Sequence, residues 1–289
     1  MTAPAADVPR LTTLRPGDEL DGVYACTRKE RLLARTGTPY LALELRDSSG
    51  AVAARAFRDA DVLAGRFERG DLVRVRGRVE RFRDAIQIEV RDIAKAAGAD
   101  PAAFLPVAYR DLDELDGFLE HLTREVHDQQ YRALLERLLR DRALRAEWRR
   151  APCTRGGHHA YLGGLLEHTV AVATLALETC ILHPRLNSDL LVTAALVHDI
   201  GKTREFEYGA EITVSEEGRM LGHIAIGQRI VEAAAADMSD HKRLALVHCV
   251  LTHHGADGRR FGSPEAVALY RLNALDASVK GVLEHGLVS

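Results

Sequence analysis

Apolar and polar positions change their spacing once along the chain, from a period of two to one near 3.6. From Leu14 to about Ile93, short runs are broken by turn signals. Arg15-Pro16-Gly17-Asp18 reads as a turn, Gly22–Thr27 as a strand, and Thr36–Pro39 as a second turn. Tyr40–Leu45 alternates and leads through the hairpin loop Asp47–Gly50 into a strand from Ala51 to Phe57. A short helix is expected near Asp59–Gly65. Gly70-Asp71 then precedes a strand over Leu72–Val79, and a last strand runs Ala85–Val90. Five such strands predict a small closed barrel.

The strand from Leu72 adds chemistry to a barrel of this OB type. Val73, Val75 and Val79 fall on one face and Arg74, Arg76 and Arg78 on the other, because strand side chains alternate. Arg81, Phe82 and Arg83 follow directly. A basic stripe beside an aromatic is what a groove needs to track phosphates and stack bases, although a solvated strand face gives the same pattern. Tyr24, Tyr40, Phe57, Phe67 and Phe82 are the stacking candidates, and some of them must be core. The expected nucleic-acid contacts are Arg74, Arg76, Arg78, Arg83, Phe82 and Tyr40.

Residues 1–13 read as a disordered lead, 14–95 as the barrel, and 96–110 as a linker. From Asp111 the period becomes helical. Leu112, Leu115, Leu119, Leu122 and Val126 make one stripe, and Tyr131, Leu134, Leu135, Leu138 and Leu139 another. Helices are expected over about 161–182, 188–199, 222–237, 240–254 and 264–285, with a hairpin inserted between Glu205 and Glu217. The fold class is therefore multidomain: a small all-β barrel, then an all-α bundle over 111–289.

Composition narrows the class. The 289 residues are 46% hydrophobic and 28% charged, ordinary for a soluble globular protein. The net charge of −3 conceals a split: residues 1–97 hold 18 Lys+Arg against 15 Asp+Glu, and the rest 21 against 27. Cys26, Cys153, Cys180 and Cys249 are scattered, which argues against a disulfide framework and suits a reducing compartment. The first residues have neither a basic nor an apolar leader region, and no uncharged apolar run approaches the length of a membrane span. A cytoplasmic location and no membrane partner are expected.

The chemistry gathers in the helical part. His198-Asp199-Ile200-Gly201-Lys202 closes the apolar run Leu190–Val197. Burying His198 beside Asp199 costs several kcal/mol without a partner, and a metal ion is the commonest one. Gly201 offers a helix end, and Lys202 puts a cation just past it. His168 lies on the preceding helix, His223 opens the next, His253-His254 close another, and Asp276 lies inside the last. Bundles build metal sites from inward side chains on facing helices. Mixed imidazole and carboxylate donors suit manganese, iron, cobalt, nickel or zinc. Six donors exceed what one ion holds with an open position, which predicts two ions bridged by a carboxylate.

The order His168, His198-Asp199, Asp276 resembles the HD-domain pattern of metal-dependent phosphohydrolases, and His223 and His253 match the added ligands of its dinuclear members. His158-His159-Ala160-Tyr161-Leu162-Gly163-Gly164-Leu165-Leu166-Glu167-His168-Thr169, followed by His198–Lys202, is similar to the YhaM-type 3′–5′ exoribonucleases. These join an N-terminal OB-fold to an HD domain and act with manganese or cobalt. Gly37-Thr38-Pro39-Tyr40-Leu41 and the Asp47–Gly50 turn resemble their first domain, with Phe57 where a tryptophan is expected. The resemblance implies that His168, His198, Asp199 and Asp276 hold one ion. Asp199 would bridge to a second ion held by His223 and His253, in preference to His254. It implies Lys202 as a cation for the phosphoryl oxygens, and His158 and His159 as phosphate contacts or proton donors to the leaving 3′-oxygen. The implied substrate is single-stranded RNA, with DNA as an alternative, and the cofactors are two divalent ions, manganese foremost. A nucleotide phosphohydrolase, a di-iron HD oxygenase and a non-catalytic nucleic-acid-binding factor are the competing readings. The barrel argues against the oxygenase, and the full ligand set against the non-catalytic factor.

Overall fold

In the computed structural model, which describes residues 10–98, 100–258 and 260–286, the period-two segment forms five strands. They are β1 Glu19–Leu33, β2 Pro39–Asp47, β3 Gly50–Ala56, β4 Leu72–Phe82 and β5 Ala85–Lys95. They close into a barrel in the order β1-β2-β3-β5-β4. All pairs are antiparallel except β3 with β5, which run parallel. Leu41, Leu43 and Leu45 of β2, Val73, Val75 and Val79 of β4, and Ile88 and Ile93 of β5 fill the interior with Tyr24 and Phe67. Each such side chain contributes about 1.5–3 kcal/mol by leaving water. The strands outrun their apolar alternation because ladder bonds continue: the exposed end of β1 stays paired with β2 through Leu33. Helix α1, Ala60–Ala64, seats Leu63 in the same core.

Two flanking segments are more ordered than expected. Leu11–Thr13, assigned above to a disordered lead, is a 3-10 turn with Leu11 buried in the barrel core. The Leu11 N–H donates to Asp47 Oδ2 at 2.7 Å, so the β2–β3 turn holds it. Residues 1–9 of that lead lie outside the described residues. The 96–110 stretch is not a free linker, because Pro101–Phe104 forms a 3-10 turn capped by Asp100. Ala102 and Leu105 are buried there.

The chain forms two units, one reaching to Pro106 and including Tyr208–Ile212, the other made of Val107–Glu207 and the chain from Thr213 onward. The second unit is helical: α2 Leu112–Arg124, α3 Gln129–Arg140, α4 Arg142–Arg150, α5 Gly164–Leu182, α6 Ser188–Val197, α7 Lys202–Glu205, α8 Glu216–Ala234, α9 Asp240–Thr252 and α10 Pro264–His285. A hairpin of β6 Phe206–Tyr208 and β7 Ile212–Val214 separates α7 from α8. Asp111, Asp128 and Asp141 start α2, α3 and α4 by accepting two backbone N–H bonds each.

Helix α5 is the centre of this unit and packs against α2, α4, α6 and α10. It is long and apolar enough to cross a membrane, with a mean hydropathy of 1.5. It is nevertheless a core helix, with Leu165, Leu166, Val172, Ala173 and Ala176 sealed among its neighbours. Helix α8 starts six residues before the expected 222, because Ser215 caps an extra turn. Gly222, at φ 70° and ψ 158°, interrupts the helix, a conformation open to glycine, so His223 begins the continuing segment.

Candidate metal centre

Each expected ligand stands where an element ends or faces inward. His168 is on the first turns of α5, His198 and Asp199 follow α6, His223 follows the α8 kink, His253 and His254 follow α9, and Asp276 is on α10. His168, His198, Asp199 and His253 are at most 1% exposed. The chain takes its turn after α6 at close quarters, since a Cβ on Gly201 would lie 1.9 Å from the His223 carbonyl oxygen. Gly201, expected above as a helix end, has a right-handed φ of −64° and is needed for contact with α8.

The imidazoles share one orientation. His198 Nδ1 faces the Ala195 carbonyl at 2.8 Å, His253 Nδ1 that of Val250 at 2.5 Å, His223 Nδ1 the Glu205 carboxylate at 3.2 Å, and His168 Nδ1 that of Asp276 at 2.6 Å. In His198, His223 and His253 the acceptor at Nδ1 places the proton there, which leaves Nε2 with a lone pair; His168 has a second acceptor, the Asn273 amide oxygen, 3.0 Å from its Nε2. All four Nε2 atoms surround Asp199. His168 and His198 lie 3.5 and 3.3 Å from Oδ2, and His223 and His253 lie 3.5 and 3.3 Å from Oδ1. Lone pairs facing a carboxylate repel one another unless a cation lies among them. Among the described residues, Asp199 Oδ1 and His253 Nε2 are buried without a hydrogen-bond partner, as groups awaiting such a cation would be. Burial pushes His168 and His253 below the usual imidazole range, which keeps their lone pairs free.

Two donor groups meet at Asp199: His168 and His198 on one side, and His223, His253 and His254 on the other. His254, set below His253 in the expectation, thus joins the cluster, with its Nε2 3.2 Å from His223 Nε2. Asp276 stands instead at the opposite nitrogen of His168, grouped with His168 and His159. Burial raises its pKa.

Lys202 departs from its expected role. As the first residue of α7, three positions after Asp199, it turns inward and is 5% exposed. Its Nζ lies 2.7 Å from Asp199 Oδ2 and 3.3 Å from Cys153 Sγ, and does not point outward to meet a phosphate. Burial opposes both charges, but the pairing outweighs it, holding Asp199 well below and Lys202 above their usual values. His158 and His159 flank His168, with their Nδ1 atoms 3.1 Å apart. His159 is buried at φ 52°, held by its N–H to Glu284 at 2.9 Å. Burial lowers His158 and takes His159 down to about 3.

Three positioning groups escaped the sequence pattern. Asn273 Nδ2 donates to the His253 carbonyl at 3.2 Å while its Oδ1 faces His168 Nε2 at 3.0 Å. Glu205 also accepts the His223 N–H. Cys153 Sγ lies against Lys202 and 3.8 Å from Asp199 Oδ2. The spacing of Asn273 three residues before Asp276, on one helix face, was the one available signal.

On the barrel, the arginine stripe is compensated. Arg74 and Arg76 pair with Asp21 at 2.9 and 3.2 Å, and Arg78 lies 3.9 Å from Glu19, since β1 runs beside β4. The aromatics gather toward the end of β4 that carries Phe82. Tyr40 and Phe57 stack with centroids 5.5 Å apart, and Arg55 sits over Phe82 at 4.9 Å and Tyr40 at 5.7 Å. Arg83 covers Phe82 at 5.5 Å. Tyr24 and Phe67 are core.

Two family models match the chain: an HD domain over residues 165–278 and an OB-fold nucleic acid binding domain over residues 26–96. An N-terminal OB-fold barrel and a C-terminal helical HD domain are thus the two parts of this chain. The curated relatives include the 3′-5′ exoribonuclease YhaM of Shouchella clausii (strain KSM-K16), 26% identical over 280 residues, covering 92% of this chain and 85% of the relative. The YhaM of Oceanobacillus iheyensis is 29% identical over 280 residues, covering 91% and 85%. The similarity to YhaM-type exoribonucleases therefore spans both parts. Among solved structures, the second OB-fold domain of replication protein A from Methanococcus maripaludis matches with a TM-score of 0.26 and 18% identity, covering 32% of this chain and 96% of that one.

Proposed function

We propose that the chain is a metal-dependent 3′–5′ exoribonuclease that shortens single-stranded RNA to nucleoside 5′-monophosphates. The observation that carries this reading is the four imidazole Nε2 atoms turned on one buried carboxylate, in a chain similar to exoribonucleases over about nine tenths of its length. Imidazole and carboxylate donors fit a borderline or harder divalent ion. His168, His198 and Asp199 would hold one ion, with Asp276 against His168. Asp199, His223, His253 and His254 would hold the other. We assign manganese to both.

Bound ions of this kind lower the pKa of a shared water and offset charge on a scissile phosphate. Lys202 keeps Asp199 ionised, so both carboxylate oxygens stay available as donors. Glu205 and two backbone carbonyls fix His223, His198 and His253 in the tautomer that presents Nε2, and Asp276 orients the His168 ring. Burial keeps His158 and His159 neutral, which suits hydrogen bonding to a phosphate oxygen better than proton donation. The barrel would hold the upstream strand on Tyr40, Phe57 and Phe82, with Arg55 and Arg83 at phosphates. Arg74, Arg76 and Arg78, already paired, serve less.

The test is a 5′-labelled RNA oligonucleotide incubated with Mn²⁺. Stepwise loss from the 3′ end with release of 5′-monophosphates, absent in Asp199→Ala, is the expected result. Wild-type protein that binds the RNA but leaves it intact with manganese, cobalt, iron, nickel and zinc ends this reading.

A further inference from the structure

Beside the Asp199 cluster lies a donor set of different character. Cys153 Sγ, a ring nitrogen of His158 and a ring nitrogen of His168 all lie within 4.8 Å of one another. Cys153 is fully buried, immediately before the loop that carries His158. Its Sγ is 3.8 Å from Asp199 Oδ2, so it borders the same pocket of donors. A thiol with two imidazoles is a set for soft or borderline ions, zinc and cadmium above all, and a poor one for manganese.

We infer that Cys153, His158 and His168 form a thiophilic-ion site that inhibits the enzyme by capturing His168. The inference rests on the nuclease reading for its consequence, but its binding chemistry is independent of activity. An ion that takes His168 through Nε2 displaces the Asn273 amide oxygen, 3.0 Å away, and leaves the ring proton at Nδ1 against Asp276. An ion bound through that Nε2 to Cys153 and His158 removes His168 from the set it shares with His198 and Asp199. Binding converts the Cys153 thiol to a thiolate and releases its proton to solvent. The Lys202 ammonium, 3.3 Å from Sγ, favours the thiolate but repels an arriving cation. Only an ion with a strong bond to sulfur overcomes that repulsion, which sharpens the selection against manganese.

The experiment is titration of the wild-type protein with Cd²⁺, followed by the ultraviolet absorption of the cadmium–thiolate bond. One thiolate equivalent per chain is expected, and Cys153→Ala and Cys153→Ser should each lack it while melting normally. In parallel, the Cd²⁺ and Zn²⁺ concentrations that half-inhibit Mn²⁺-supported hydrolysis should rise in both variants by about 10–100-fold, the range that loss of a supporting group has on metal affinity. Absence of the band from wild type overturns the inference and needs no variant to fold. So does a band that persists in both variants, since Cys26, Cys180 and Cys249 would then be its source. If the band is present and lost as expected but Mn²⁺ supports no hydrolysis, the thiophilic site stands and the nuclease reading falls.

Discussion

Replacing Asp199 by asparagine removes one of two opposite charges sealed in the helical unit, and its cost in metal-free protein can be worked out. Asp199 is 1% and Lys202 5% exposed, and their charged atoms are 2.7 Å apart. Removing one partner of a buried pair strands the other, at about 3–5 kcal/mol. The new amide can donate to an imidazole lone pair, such as that of His253, which returns about 1 kcal/mol. The net loss is about 2–4 kcal/mol, or about 4–16 °C in Tm at 2–4 °C per kcal/mol. The assay is thermal unfolding followed by circular dichroism in excess chelator. Asp199→Asn with Lys202→Met should recover most of the loss. The pH dependence follows from the two shifts. Asp199, lowered by folding, contributes above its unfolded pKa of about 3.9 and loses that contribution as pH falls through its folded value. Lys202, raised by folding, contributes below about 10.4 and loses it as pH rises through its folded value. The gap should therefore be full between about pH 4 and 10 and close outside that window. An Asp199→Asn protein melting within about 2 °C of wild type at pH 7 would refute the reasoning.

Three further outcomes follow from the same geometry. Adding Mn²⁺ at 100 times its dissociation constant should stabilise wild type by about 2.7 kcal/mol per ion, read as a rise in Tm that chelator reverses and Asp199→Asn lacks. Arg55→Ala with Phe82→Ala should weaken binding of a single-stranded oligonucleotide by about 1–3 kcal/mol per lost stacked base, while sparing hydrolysis of a mononucleotide ester; a larger loss from Arg74→Ala would return the strand to the β4 face. Gly201→Ala drives a methyl into the His223 carbonyl, so a melting curve matching wild type would contradict the packing of that turn against α8.

The periods of the chain gave away the two kinds of architecture, because burial of one face imposes period two on strands and 3.6 on helices. Apolar alternation could not reveal where strands end: β1 continues to Leu33 through backbone bonds to β2, whatever its side chains do. Nor could a turn of low periodicity such as Leu11–Thr13 disclose that Leu11 enters the core. The histidines stood out because five inward polar positions on successive helices have no apolar explanation. Which ring nitrogen faces Asp199 was invisible, since it depends on which backbone carbonyl each helix end turns to its histidine and on Glu205 and Asp276, 18 and 108 residues from the rings they hold. The partners of the arginine stripe were hidden for a related reason: β4 displays it, but Glu19 and Asp21 that pair with it lie on the neighbouring strand.

Asp199 would join two ions beside the imidazole nitrogens turned on it, and anomalous diffraction from crystals soaked in Mn²⁺ would locate them. Two peaks are predicted, one among His168, His198 and Asp199 and one among Asp199, His223, His253 and His254. A fully soaked crystal with no peak at Asp199, or with manganese bound away from these imidazoles, would contradict this role of Asp199.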